Sequence, residues 1–286
     1  MSVPFLFIEI ASLFFFSLSL LETRKKSSAR LLEFIMIFFY ALLLEELDQR
    51  IFKSYHYDPR FVLTIGQVPI CIAWLWAMIL ASSMAISDAW GIPQKIRPFS
   101  DALLAVWIDL SIDAIAIRMG FWNWVIPLNE GWFGVPAGNL YAWMWVAFFY
   151  SALARILRFL TQRNEKWKWG YLALPFFAYL GLFGAMTSLG FIAKALGFTT
   201  QGERLIVFWV QFFIFLTIVF SAWKRRRPAG ERVASVWWWG RFSIHFYFLF
   251  AFFFFGIFRS VPILGAVALF VLAGEFLFHH QAKEIR

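Results

Sequence analysis

The chain has 286 residues, of which 62% are hydrophobic, 22% aromatic and only 15% charged, with a formal net charge of +9. A water-soluble domain of this size needs far more charge to cover its surface, so the composition excludes one and indicates an integral membrane protein. In such a chain the excess of Lys and Arg reads first as an orientation signal, not as a nucleic-acid surface.

Nine apolar segments lie at about 4–21, 31–47, 61–86, 99–119, 135–157, 170–194, 203–223, 242–258 and 261–278. Their lengths approach the twenty or so residues that a helix needs to cross the hydrocarbon core. The expected fold is all-α, a polytopic transmembrane bundle of about 8–9 helices making a single integral membrane domain over 1–286. The first segment does not read as a cleavable signal, because no basic stretch precedes it and Arg24, Lys25 and Lys26 follow it.

Alternate connections carry most of the cations: Arg24 to Arg30, Lys95 and Arg97, Arg155 to Lys168, Lys224 to Arg227 with Arg232 and Arg241, and Lys283 and Arg286. The positive-inside rule then predicts an outside N-terminus, a cytoplasmic C-terminus and a multi-pass protein of the cell (inner) membrane. Anionic lipid is the ordinary partner of the Lys224–Arg227 cluster. Cys71, inside an apolar run, reads as a small buried residue.

In this topology the second segment ends in Glu45 and Glu46, with Asp48 just beyond, and the next loop holds Tyr55, His56, Tyr57 and Asp58. The third segment is expected to carry Gln67 and Pro69 in its first turns. The fourth places Asp109 and Asp113 in an apolar helix ending at Arg118, and the fifth begins with Pro136, Asn139 and Tyr141. All these groups are expected at one depth, in the outer half of the membrane. A carboxylate at the centre of a membrane helix costs about 2.5 to 3.5 kcal/mol, so ionisable groups there are read as candidates for function.

Asp109 and Asp113 are one helical turn apart, which puts their Cβ atoms about 5 to 6 Å from each other on one face. Two such acids cannot both ionise cheaply at low dielectric, so one holds a proton while the other stays charged, the arrangement an acid/base pair needs. The alternative is that they bond to neighbouring helices or are neutralised by Arg118. Glu45 and Glu46 point about 100° apart, so at most one faces the same interior. Glu9 and Glu275 are expected to reach water near helix ends. His245, His279 and His280 are expected at cytoplasmic ends, His56 in a loop, and four scattered histidines suggest no metal site.

Trp122, Trp124 and Trp132 cluster beside the acids. Tryptophan favours membrane interfaces, but a dense aromatic lining also suits a flat polyene or a carbocation held by cation-π contact.

Three stretches, SYHYDPRFVLTIGQVPICIAWLWAM, IDLSIDAIAIRMGFWNW and FGVPAGNLYAWMW, resemble the integral-membrane carotenoid biosynthesis proteins that include the CruF-type hydratases of acyclic carotenoid ends. The middle stretch is similar to that family's aspartate-containing helix leading into a W-x-W turn, and the last to its Gly-x-Pro, Asn, Trp block. Ala114 stands where the family commonly has proline after the second aspartate. The resemblance implies a family-like core at about 31–160 and addition of water to the terminal double bond of a lycopene-like chain, with no cofactor. It implies Asp109, Asp113 and Glu45 as catalytic residues. Trp122, Trp124, Trp132, Asn139, Tyr141, Gln67 and Tyr55 are then substrate-binding, with the polyene, the bilayer and other carotenoid-pathway membrane enzymes as partners.

Two other readings stay open at the level of sequence. D-x-x-x-D at Asp109 to Asp113 resembles half of the magnesium-diphosphate signature of membrane prenyltransferases, without its companion Asn-Asp-x-x-Asp block. Intramembrane acids also serve as proton relays in non-enzymatic carriers.

Overall fold

The computed structural model describes residues 3–227 and 233–283, with the side chains of 281–283 left aside. Arg232 and Arg286, counted above as cytoplasmic cations, lie outside the described residues. Nine α-helices follow one another in the described chain: α1 (Val3–Lys26), α2 (Ser28–Leu47), α3 (Ile70–Ala89), α4 (Arg97–Ala116), α5 (Ala137–Arg163), α6 (Leu174–Ala195), α7 (Gln201–Trp223), α8 (Ser235–Phe254) and α9 (Pro262–Lys283). The protein is thus an all-α helical bundle.

Six spans are long and apolar enough to cross a membrane: α1, α3, α5, α7, α9 through His280, and α6 with the 3-10 turn before it. The helices α2 and α4 fail that test because each carries several charged residues, and α8 because Arg241, His245 and its tryptophans lower its hydropathy. Those residues mark where polar chemistry is buried.

The centre of the bundle is α4, buried between Pro98 and Ala116 except for a half-buried stripe of Phe99, Leu103 and Trp107, and packed against α3, α5, α7, α8 and α9. Its three acids, Asp101, Asp109 and Asp113, all lie on the buried faces, so each must find a partner inside the protein.

Two of the expected boundaries are corrected. The third helix starts at Ile70 rather than near 61, because residues 64–69 form a small antiparallel hairpin, Thr64–Ile65 (β2) against Val68–Pro69 (β3). Gly66 turns it at φ +60, a conformation that suits glycine, and the place of its Cβ is filled by the Glu46 carboxylate. Gln67 and Pro69 therefore precede α3. The eighth helix begins at Ser235 rather than 242.

Several ionic groups expected in water or in loops are buried instead. Arg241 (1% exposed) lies within α8 and forks onto Glu275 (0% exposed) of α9, with Nη2–Oε1 at 2.5 Å and Nε–Oε2 at 2.8 Å. His245, mid-way along α8, faces the same carboxylate at 3.5 Å. At the α2 N-terminal end of the bundle, Arg155 and Arg158 of α5 bind Asp101 of α4 (2.8 Å), Asp88 of α3 (3.0 Å) and Glu33 of α2 (2.5 Å). Glu9 is buried on α1, where it accepts the backbone N–H groups of Val62 and Leu63 at 2.8 and 3.0 Å. Arg155 and Arg241 thus serve buried carboxylates and do not count toward the charge of the connections.

Candidate active site

The site begins with a two-stranded ribbon at the opposite end of α2. Tyr55–Tyr57 (β1) pairs antiparallel with Trp122–Trp124 (β4) in the register Tyr55↔Trp124, His56↔Asn123, Tyr57↔Trp122. Successive strand residues point to opposite faces. Tyr55, Tyr57, Trp122 and Trp124 consequently share the inner face, while His56 and Asn123 are exposed. The rings pack on one another, with Tyr55 and Trp124 centroids 4.6 Å apart and Tyr57 edge-on to Trp122 at 5.9 Å.

Under the ribbon lies a cavity of about 590 Å³. Glu45 borders it from the last turn of α2, Trp76 from α3, Asp113 from α4, and Asn139 and Trp143 from α5. The indoles of Trp76 and Trp143 lie 4.0 Å apart between centroids and form one aromatic wall.

Glu45 is held by three donors. The Tyr55 hydroxyl donates to Oε2, the Tyr57 hydroxyl donates to the same oxygen at 2.7 Å, and Trp76 Nε1–H donates to Oε1 at 2.8 Å. Burial, with the neighbouring Glu45 charge, pushes both ribbon phenols well above their ordinary value, so they remain donors. Its neighbour Glu46 turns outward to Arg50 and to the backbone N–H of Gln67 at 3.0 Å. The 100° offset thus sorts the two glutamates as expected.

Asp109 and Asp113 meet through α5. Asn139, in the first turn of that helix, donates its side-chain amide to Asp113 Oδ2 at 2.6 Å and to Asp109 Oδ2 at 3.1 Å. The positive end of the α5 dipole favours negative charge at this point. Asp113 borders the cavity, whereas Asp109 sits behind it, fully buried, with Oδ1 lacking a hydrogen-bond partner. Arg118 does not neutralise them. Its guanidinium donates to the carbonyls of Ala114 (2.7 Å) and Phe133 (2.8 Å).

Of the residues singled out in the sequence, Asp113, Glu45, Trp122, Trp124, Asn139 and Tyr55 border the cavity, and Asp109 contacts it through Asn139. Three do not line it. Gln67 is exposed in the hairpin, where its carbonyl accepts from Gln49 at 3.3 Å. Trp132 donates its indole N–H to the Leu110 carbonyl at 2.8 Å and stacks edge-on to Trp209. Tyr141 turns to Ser188, with the two hydroxyls 3.4 Å apart. Tyr57, Trp76 and Trp143 belong to the site without having been singled out for it. The aromatic-polar-aromatic alternation of YHY and WNW was a signal for Tyr57, and Trp143 stands in the Gly-x-Pro, Asn, Trp block that carries the family resemblance; nothing singled out Trp76 from its apolar run.

An aromatic pocket with buried acids fits several chemistries. The sequence decides the family, because residues 3–207 match the family described as carotenoid biosynthesis protein. The chain belongs to that family. The match takes in α1 through the start of α7, so every residue of the cavity except Ile244 falls within it. No curated protein and no solved structure matches the chain. A membrane protein with a role in carotenoid biosynthesis explains an apolar pocket with rings on two sides.

Proposed function

We propose that this protein is a hydratase that adds water to the terminal double bond of an acyclic, lycopene-like carotenoid. The observation that carries the reading is the placement of Asp113 and Glu45 on one aromatic cavity, each backed by its own hydrogen-bond donors. Two carboxyl groups in one apolar pocket supply the two proton-handling roles that hydration needs.

In the proposed reaction the Asp113–Asp109 pair gives one proton to the inner, CH carbon of the terminal double bond, whose π electrons form the new C–H bond. The adjacent carbon becomes a tertiary cation, stabilised by the faces of Trp122, Trp124 and the Trp76–Trp143 wall. Water held by Glu45 attacks that carbon. Its surplus proton passes to a carboxylate of the site, so the net change is one water added and a tertiary alcohol formed. Asp113 is the donor, since it borders the cavity, and Asp109 acts through it. Asn139 is a positioning residue that holds both acids.

The mouth of the cavity supports an apolar substrate entering from the bilayer. Phe183 of α6, 50% exposed, and Phe52, 53% exposed, both border it. A prenyl diphosphate is less well served, because none of the described residues bordering the cavity is Lys or Arg. In the cell (inner) membrane, where we place the protein, the bias of Lys and Arg in the connections supports an orientation with the ribbon on the outer side and the C-terminus cytoplasmic.

The test is purified protein in detergent, given an acyclic carotenoid in isotopically labelled water. The expected product is a tertiary alcohol carrying the water's oxygen. A folded sample that leaves the carotenoid unchanged, or carries protons across vesicles without forming a C–O bond, excludes the hydratase.

A further inference from the structure

A second and larger hollow, about 1280 Å³, runs between α1 and α8 on the flank of the bundle. Along α1 it extends from Phe7 to Lys25, about 27 Å at the helical rise. Its floor is made by small side chains, Ala11 and Ser12 of α1 and Ser243 of α8, and rings such as Phe14, Trp239 and Phe246 flank it. Leu75 of α3 and Ile244 of α8 border both this groove and the cavity beneath the ribbon. Two aliphatic side chains therefore stand where the two spaces adjoin.

We infer that the groove is a second binding site, which holds the distal part of the polyene whose end lies in the cavity. The inference rests on the reading of the cavity as the site for a carotenoid end. A carotenoid chain is comparable in length to the hydrocarbon core, about 30 Å, whereas a cavity of about 590 Å³ is of the size that encloses a drug-sized ligand. The rest of the chain must lie elsewhere, and the groove adjoins the cavity, is lined mainly by apolar side chains up to its Glu22, Arg24 and Lys25 end, and is long enough. Its aromatic flanks offer flat π surfaces that match a conjugated chain and give a saturated lipid tail no advantage. The Tyr247 hydroxyl donates to the Pro4 carbonyl at 3.0 Å, and Tyr247 stacks on Phe7, tying α1 to α8 at the ribbon end. A chain leaving the cavity past Leu75 and Ile244 thus runs toward Lys25.

The experiment measures binding apart from turnover. Native protein and two variants that fill the floor, Ser243→Trp and Ala11→Phe, are placed in nanodiscs of saturated phosphatidylcholine. They are titrated with a full-length acyclic carotenoid and with a half-length analogue bearing the same end, read by the shift of the polyene absorption band. The expected result is an affinity for the long chain lowered about tenfold or more in both variants, with the affinity for the short analogue held within about twofold. Retention of the short analogue also certifies the fold of each variant. Equal affinities of native and variant protein for the long chain overturn the inference and leave the groove to bilayer lipid, as does an equal loss for both ligands. Should native protein bind the long chain and form no alcohol, the hydratase fails while the groove stands.

Discussion

Trp76 donates its indole N–H to Glu45 over 2.8 Å, joining the aromatic wall of the cavity to the carboxylate that three side chains hold in place. The pair comes from two helices, α3 and α2, and neither residue reaches its role without the other. Replacing Glu45 by Gln keeps the shape and removes the charge. The expected loss of product is about 10²-fold or more, the range for a positioned acid/base group, measured by carotenoid analysis of a producing host. Trp76→Phe keeps most of the wall and removes one donor, for an expected loss of about tenfold at constant protein level.

The two aspartates are expected to separate. Asp113→Asn removes the group that borders the cavity and abolishes detectable product, whereas Asp109→Asn, one layer behind, leaves a reduced but measurable yield. The same host and pigment analysis checks both. Equal, near-native yields from the two variants would remove the proton-donor assignment and leave the family membership untouched.

Asn139→Leu withdraws one amide from two buried carboxyls at once. An unsatisfied buried polar group costs about 1–3 kcal/mol, so lowered thermal stability in detergent is expected along with lost activity. Asn139→Gln is the informative companion: it restores the amide one methylene further out and should recover stability more fully than turnover.

Arg241→Met strands Glu275, which is fully buried. Breaking a buried pair by removing one partner costs about 3–5 kcal/mol, whereas replacing both by apolar residues is often near neutral. The double variant Arg241→Met with Glu275→Leu should therefore unfold at a higher temperature than the single one. Product formation in the double variant should persist, since neither residue borders the cavity.

Much was legible in one dimension. Composition and apolar run lengths determine an all-helical membrane protein, because the bilayer leaves few ways to satisfy a backbone. The rarity of acids in such helices directs attention to Glu45, Asp109 and Asp113, and the i, i+4 spacing puts the last two on one face before any coordinates exist. Glu45 was separable from Glu46 only as an alternative, and packing chose between them.

What only the tertiary structure decided is which polar groups meet. Arg241 finds Glu275 across 34 residues, and Arg155 finds Asp101 across 54. Both arginines sit in stretches that read as topology signals, because a run of sequence does not reveal whether a cation near a helix end faces water or a buried carboxylate. Glu9 and Glu275 were misplaced for the same reason. Trp132 and Tyr141 are close in sequence to the site yet turn to Leu110 and Ser188, since helical phase and the packing of α5 against its neighbours aim side chains that proximity alone does not. The register of Tyr55–Tyr57 against Trp122–Trp124 joins segments more than sixty residues apart and brings four rings over Glu45. Pairing of that kind depends on where α2 and α4 end in space, and the chain states it only once it is folded.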